Sequence, residues 1–95
     1  MKNLFQISIE PERESQEIEP IIQSFASLLN SNLKAESIRR YLKNTIVFST
    51  SKNYFEVIIA VKAWAEQNGV YFVITQALPN EDGVRYYYTR RGYPA

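Results

Sequence analysis

The apolar and polar positions of this chain first alternate and then follow a helical period. Phe5, Ile7 and Ile9 occupy every second position of residues 4–9, which predicts a half-buried strand. From residue 18 to about residue 30, apolar residues recur every three or four positions, which predicts an amphipathic helix. The chain is therefore expected to begin with a strand followed by a helix.

The next segment, residues 34–43, fits two patterns. Its apolar residues share one face of a helix, but they also alternate with polar residues as in a strand. In the second interpretation, Lys43 and Asn44 form a tight turn into residues 45–49, whose β-branched and aromatic side chains are typical of a strand. We favour this hairpin, and the helix remains the alternative.

A second helix is the clearest predicted element. Asn53 suits the N-cap position, and Glu56 three residues later completes the pattern of a capping box. The pair Asn68-Gly69 is typical of a left-handed C-terminal cap. Apolar residues surround this helix in more than one stripe: Tyr54, Phe55, Val57, Ile58, Ile59, Val61, Trp64 and Ala65.

Two further strands are predicted after this helix. Residues 70–78 are apolar on both faces, so we expect a central strand that a helix covers on at least one side. Residues 79–83 are expected to form a hairpin loop, and residues 84–90 return as an antiparallel partner. A single domain is expected over residues 1–92, followed by a short tail at residues 93–95.

The order of these elements is strand, helix, strand, strand, helix, strand, strand. The first six resemble the βαββαβ order of ferredoxin-like domains, with one antiparallel strand added at the C-terminus. The resemblance implies an α+β fold with two helices packed on one face of the sheet. It concerns element order alone, and a fold of this kind does not imply a function.

The composition narrows the function more than any motif does. The chain has neither cysteine nor histidine, which removes disulfides, thiolate nucleophiles, cysteine-based zinc sites and the side chain that titrates near neutral pH. We therefore expect no catalysis and no cofactor. Because no stretch reads as a membrane span or a signal peptide, we expect a cytoplasmic protein without a membrane partner.

Charge is distributed unevenly along the chain. Residues 1–33 carry two basic and five acidic side chains, whereas residues 34–95 carry nine basic and five acidic ones. Such a division favours orientation of a partner or self-association, although two solvated faces would show the same pattern. Glu10, Glu12 and Glu14 lack the spacing of a calcium loop, so we expect no metal site.

Tyrosine and arginine alternate near the C-terminus, and this is the strongest indication of a ligand. In a strand, Arg85, Tyr87 and Arg91 share one face and would form a short stacking platform flanked by cations. Such a platform is typical of single-stranded nucleic-acid binding, and Arg39, Arg40 and Lys43 would supply a second basic patch. A protein-facing edge strand, or an edge that arginines protect from aggregation, are the alternatives.

These observations favour a non-catalytic module that binds another protein or a second copy of itself. Its contacts are predicted on the C-terminal edge strand or on the second helix. The candidate partner-binding residues are Arg85, Tyr87, Arg90, Arg91, Tyr93, Phe55, Ile59 and Trp64. A core position is the alternative for Trp64, and a weak single-stranded RNA- or DNA-binding module is the alternative function.

Overall fold

A computed structural model describes residues 2–77 together with the backbone of residues 84–90. It contains seven elements: β1 (Asn3–Pro11), α1 (Ile18–Ser31), β2 (Glu36–Tyr41), β3 (Thr45–Thr50), α2 (Tyr54–Asn68), β4 (Val70–Ala77) and β5 (Val84–Arg90). The predicted order of elements is confirmed. The ambiguous segment before β3 forms a strand, so the hairpin interpretation was correct.

The strands form one antiparallel sheet in the order β2-β3-β1-β4-β5. This arrangement places β1 at the centre and leaves β2 and β5 at the two edges. The β-α-β-β-α-β order of the first six elements fits the ferredoxin-like arrangement. The last strand, β5, extends the sheet beside β4.

One face of the sheet carries both helices and the hydrophobic core. Phe5, Ile7 and Ile9 of β1 are fully buried, and their register neighbours in β3 and β4 are buried as well. Aromatic rings join the two layers, because Phe25 of α1 lies edge-on to Phe48 of β3, with ring centroids 6.2 Å apart. The alternation in the sequence therefore marks an inner face that the helices cover.

Both ends of α2 have the caps that the sequence predicts. The side chain of Asn53 accepts a hydrogen bond from the backbone N–H of Glu56, and the Glu56 carboxylate accepts one from the backbone N–H of Asn53. At the other end, Gly69 adopts a left-handed conformation with φ of 63°. Local sequence thus fixes where this helix begins and ends.

Candidate functional site

The outer face of α2 carries two large apolar side chains. Phe55 and Ile59 lie one helical turn apart, and each remains 70% exposed. The side of α2 that packs on the core uses a different stripe, which includes Val57 and Val61. The helix is apolar in more than one stripe, and only one of these stripes is used for folding. We call Phe55 and Ile59 the α2 patch.

Trp64 has a different environment from the α2 patch, although all three residues were predicted to contact a partner. It is only 6% exposed, and its indole N–H donates a hydrogen bond to the hydroxyl oxygen of Ser24 at 2.9 Å. Its ring lies 4.9 Å from the ring of Phe25. Trp64 therefore joins α1 to α2 inside the core, as the alternative interpretation stated, and it is not an exposed anchor.

The predicted arginine–tyrosine platform falls on the edge strand β5. The backbone register pairs Tyr87 with Thr75 and Arg90 with Phe72, whereas Arg85 falls within a register shift of the β4–β5 pair. Arg91 and Tyr93 lie outside the described residues, as do the predicted loop at residues 79–83 and the predicted tail. The platform therefore remains a prediction, and its backbone belongs to an edge strand as expected.

The opposite edge of the sheet, β2, also contains an irregularity. The pairing of β2 with β3 is interrupted by a register shift between Glu36 and Arg39, and Ser37 within it has a φ of 53°. Such a bulge, with arginines beside it, discourages the addition of a further strand.

The second basic patch is reduced by an ion pair. Both carboxylate oxygens of Glu19 in α1 accept hydrogen bonds from the Arg40 guanidinium, at 3.0 and 2.6 Å. Arg40 also donates to the backbone carbonyl of Lys43 at 2.9 Å. The hydrogen bonds from Arg40 lower the pKa of the Glu19 carboxyl below its ordinary value. The charge of Arg40 is therefore neutralised locally, and only Arg39 and Lys43 of the patch have no ion pair within residues 2–77.

The face of the sheet opposite the helices is a surface that the sequence analysis missed. We call it the open face. On its three central strands, three register rows place nine uncharged residues side by side. The rows are Thr45–Ser8–Val73, Val47–Gln6–Thr75 and Ser49–Leu4–Ala77. Leu4 and Val73 are 39% and 40% exposed. The signal in the sequence is the absence of charged residues from residues 3–9, 45–50 and 70–77, but only the register shows which of these residues lie side by side.

Charged and aromatic residues surround this uncharged block. Tyr41 on β2, beside Thr45, is 55% exposed. Arg39 lies beside Val47, and Glu10 lies beyond Ser8 on β1. Among the described residues, neither Arg39 nor Glu10 takes part in an ion pair.

Two depressions on the described surface are open and shallow. A depression of about 370 Å³ is bordered by Ile9, Ile18 and Lys43, and a more polar one of about 360 Å³ by Gln16 and Asn68. Within residues 2–77, no group of three or more acidic side chains is placed to hold a metal ion. No helix in the described part of the chain is long and apolar enough to cross a membrane.

The chain matches no protein-family model, no curated protein and no solved structure.

Proposed function

We propose that this chain is a non-catalytic protein-interaction module that holds its partner through the α2 patch. The observation that carries the proposal is the 70% exposure of both Phe55 and Ile59 on adjacent turns of one helix. A lone exposed apolar residue is ordinary on a protein surface, but adjacent large ones are typical of contact sites. Neither side chain belongs to the buried core of the fold.

The energetics of the α2 patch suit a binding anchor. Full burial of a phenylalanine or isoleucine side chain contributes about 1.5–3 kcal/mol relative to exposure. Two such residues at i and i+4 match the spacing by which a helix inserts anchors into an apolar groove. The capping box holds the first turn of α2 in place, so Phe55 is presented in a fixed orientation. This preorganisation reduces the conformational entropy that binding costs.

The size of the α2 patch indicates a transient complex. Two side chains of this size, each 70% exposed, offer about 250–300 Å². A stable interface buries about 800 Å² on each partner. We therefore propose that the partner of the α2 patch is a different protein, which has a narrow apolar groove and binds reversibly. The lack of histidine and cysteine supports a binding role over a catalytic one.

The double variant Phe55→Ser with Ile59→Ser tests this assignment. Partners are first recovered from a cell extract with the wild-type chain, and each is then purified and titrated alone. We expect a binary complex whose Kd rises about 100-fold or more in the variant, because two anchors are lost. The matched control is Leu42→Ser, which removes another apolar residue, 89% exposed, from the β2–β3 turn.

A purified partner that binds the double variant as tightly as wild type contradicts the proposal. The fold of the variant is checked by its free energy of unfolding, which should change by less than about 0.5 kcal/mol because both residues are exposed.

The alternative of single-stranded nucleic-acid binding stays a prediction. The main residues of this predicted nucleic-acid site lie on β5 and after it. In the second basic patch, Arg40 forms an ion pair with Glu19. Titration with short oligonucleotides at two salt concentrations distinguishes it. Binding that weakens steeply with salt, and is lost in the Arg90→Ala with Arg91→Ala variant, would favour this alternative.

A further inference from the structure

We propose that two copies of this chain associate through their open faces. The central observation is the uncharged block of nine residues on β3, β1 and β4. The solvent-facing side of an antiparallel sheet ordinarily carries polar and charged residues. Here the block contains Leu4, Val47, Val73 and Ala77 among threonine, serine and glutamine. Depletion of charge at the centre of a surface is typical of a protein–protein interface.

The area of the open face is close to what a stable dimer needs. The four strands β2, β3, β1 and β4, about 4.8 Å apart, and four rows of residues, about 6.7 Å apart, span roughly 500 Å² in projection. The accessible area is larger because side chains stand out from the sheet, and it approaches the ≈ 800 Å² per partner of a standard interface. The α2 patch offers less than half of that. The open face is therefore the surface on which a long-lived contact fits.

The shape of this face suits a second sheet. Seven of the nine side chains in the block are small or β-branched, and only Leu4 and Gln6 are longer, which favours a nearly flat surface over the three central strands. Two such sheets pack face to face at about 10 Å. Both α1 and α2 occupy the opposite face, so they leave this one accessible.

Charges at the border identify the partner as a second copy. Arg39 and Glu10 have opposite charges, and neither forms an ion pair within the described residues. Their register positions are two strands and two rows apart, which is about 16 Å and too far for a contact within one chain. In a two-fold dimer, a contact from Arg39 of one copy to Glu10 of the other occurs twice.

These two contacts also fix the arrangement. With ideal strand and row spacings, placing each Arg39 on the Glu10 of the other copy makes the strands of the two sheets cross at roughly 70°, which belongs to the orthogonal class of sheet packing. The symmetry axis then passes over the block beside Gln6. Tyr41, at the border, is a side chain of the type that anchors interfaces.

Sedimentation equilibrium of the full chain at concentrations up to about 1 mM tests the proposal. We expect a dimer. Gln6→Lys places a charge at the centre of the interface, and it should raise the dimer Kd about 100-fold or more. The matched control is Ile59→Lys, which adds the same charge on the α2 patch and should leave the dimer intact.

A charge exchange tests the arrangement. Glu10→Arg and Arg39→Glu should each raise the dimer Kd about tenfold or more, and the two changes together should restore it. A wild-type monomer at the highest concentration overturns the proposal, and so does a dimer that Ile59→Lys dissociates while Gln6→Lys does not. A dimer that the combined exchange fails to restore overturns the Arg39–Glu10 arrangement.

The proposal does not depend on the proposed function, because it uses the opposite side of the molecule. Loss of the partner with Ile59→Lys and loss of the dimer with Gln6→Lys are separate results. Either surface can therefore fail its test without affecting the result for the other.

Discussion

The guanidinium group of Arg40 in β2 holds both carboxylate oxygens of Glu19 in the first turn of α1. The same group donates to the backbone carbonyl of Lys43, in the turn that follows β2. One side chain thus links the edge of the sheet, a turn and the start of a helix. Glu19 also lies at the positive end of the α1 dipole, which favours its charged form.

The Arg40–Glu19 pair predicts a pH dependence of stability. The hydrogen bonds from Arg40 lower the pKa of Glu19 in the folded state. The stabilising contribution is therefore complete above the ordinary pKa of the carboxyl group, 4.5, and is lost as the pH falls through the lowered value. We expect Glu19→Gln to lower Tm slightly at pH 7 and to match wild type at the acid end of the range.

Thermal unfolding of wild type and Glu19→Gln between neutral and acid pH measures this effect. The control is Glu14→Gln, which changes an exposed carboxylate that has no ion pair within the described residues. A Tm difference for Glu19→Gln that persists unchanged at acid pH would show that the pair does not stabilise the fold.

Thr50 is a buried polar residue that forms hydrogen bonds with two loops, one at Leu33 and one at Lys52. Its hydroxyl group donates to the carbonyl oxygen of Leu33 at 2.5 Å and accepts from the backbone N–H of Lys52 at 3.1 Å. Thr50→Val keeps the shape but removes both hydrogen bonds, so we expect a loss of about 1–3 kcal/mol in the free energy of unfolding. Urea denaturation measures it. Ser51→Ala, which changes an exposed hydroxyl-bearing residue next to Thr50, is the control and should change stability by less than about 0.5 kcal/mol.

The hydrogen bond from Trp64 to Ser24 gives a third prediction. Ser24→Ala leaves the buried indole N–H without this acceptor, so the free energy of unfolding should fall by about 1–2 kcal/mol. Trp64 is the only tryptophan in the chain, and its fluorescence therefore reports unfolding directly. Ser27→Ala changes an exposed serine of the same helix and should be nearly neutral. Equal effects of the two substitutions would argue against a structural role for the Ser24 contact.

Replacement of Gly69 is expected to lower the free energy of unfolding because of its backbone conformation alone. A Cβ atom at this position would lie 3.8 Å from its nearest neighbours on Gln16 and Glu12, which is an ordinary contact. Its φ of 63° is unfavourable for alanine, so Gly69→Ala should cost about 1–2 kcal/mol. Gly69→Asn should cost less, because asparagine tolerates this conformation. Equal losses for the two variants in urea denaturation would contradict this explanation.

The C-terminal segment carries the strongest indication of a ligand in the sequence, but neither proposal rests on it. The tyrosines and arginines from Arg85 onward are visible in the amino-acid sequence alone. The structure adds that the backbone of this segment pairs with β4 at the edge of the sheet. The two surfaces on which the proposals rest come from other parts of the chain.

Local sequence determined most of the helices and strands of this protein. Alternation set β1, and the capping box of Asn53 with Glu56 set the start of α2, since such signals depend on residues within one helical turn or one strand. Gly69 set its end for the same reason. The pattern alone does not decide between a helix and the hairpin of β2 with β3, because the short apolar segment of β2 fits both periods.

Only the tertiary structure decided which apolar residues are exposed and which polar residues meet. Phe55, Ile59 and Trp64 lie on one helix with similar hydrophobicity, and it was the packing of α1 against α2 that buried Trp64 and left the other two exposed. Ser8, Thr45 and Val73 are far apart in the chain, and strand pairing alone places them in one row. The periodicity of a segment shows which of its residues share one side of a helix or strand. Which side is covered depends on contacts between distant segments, which no short stretch of sequence contains.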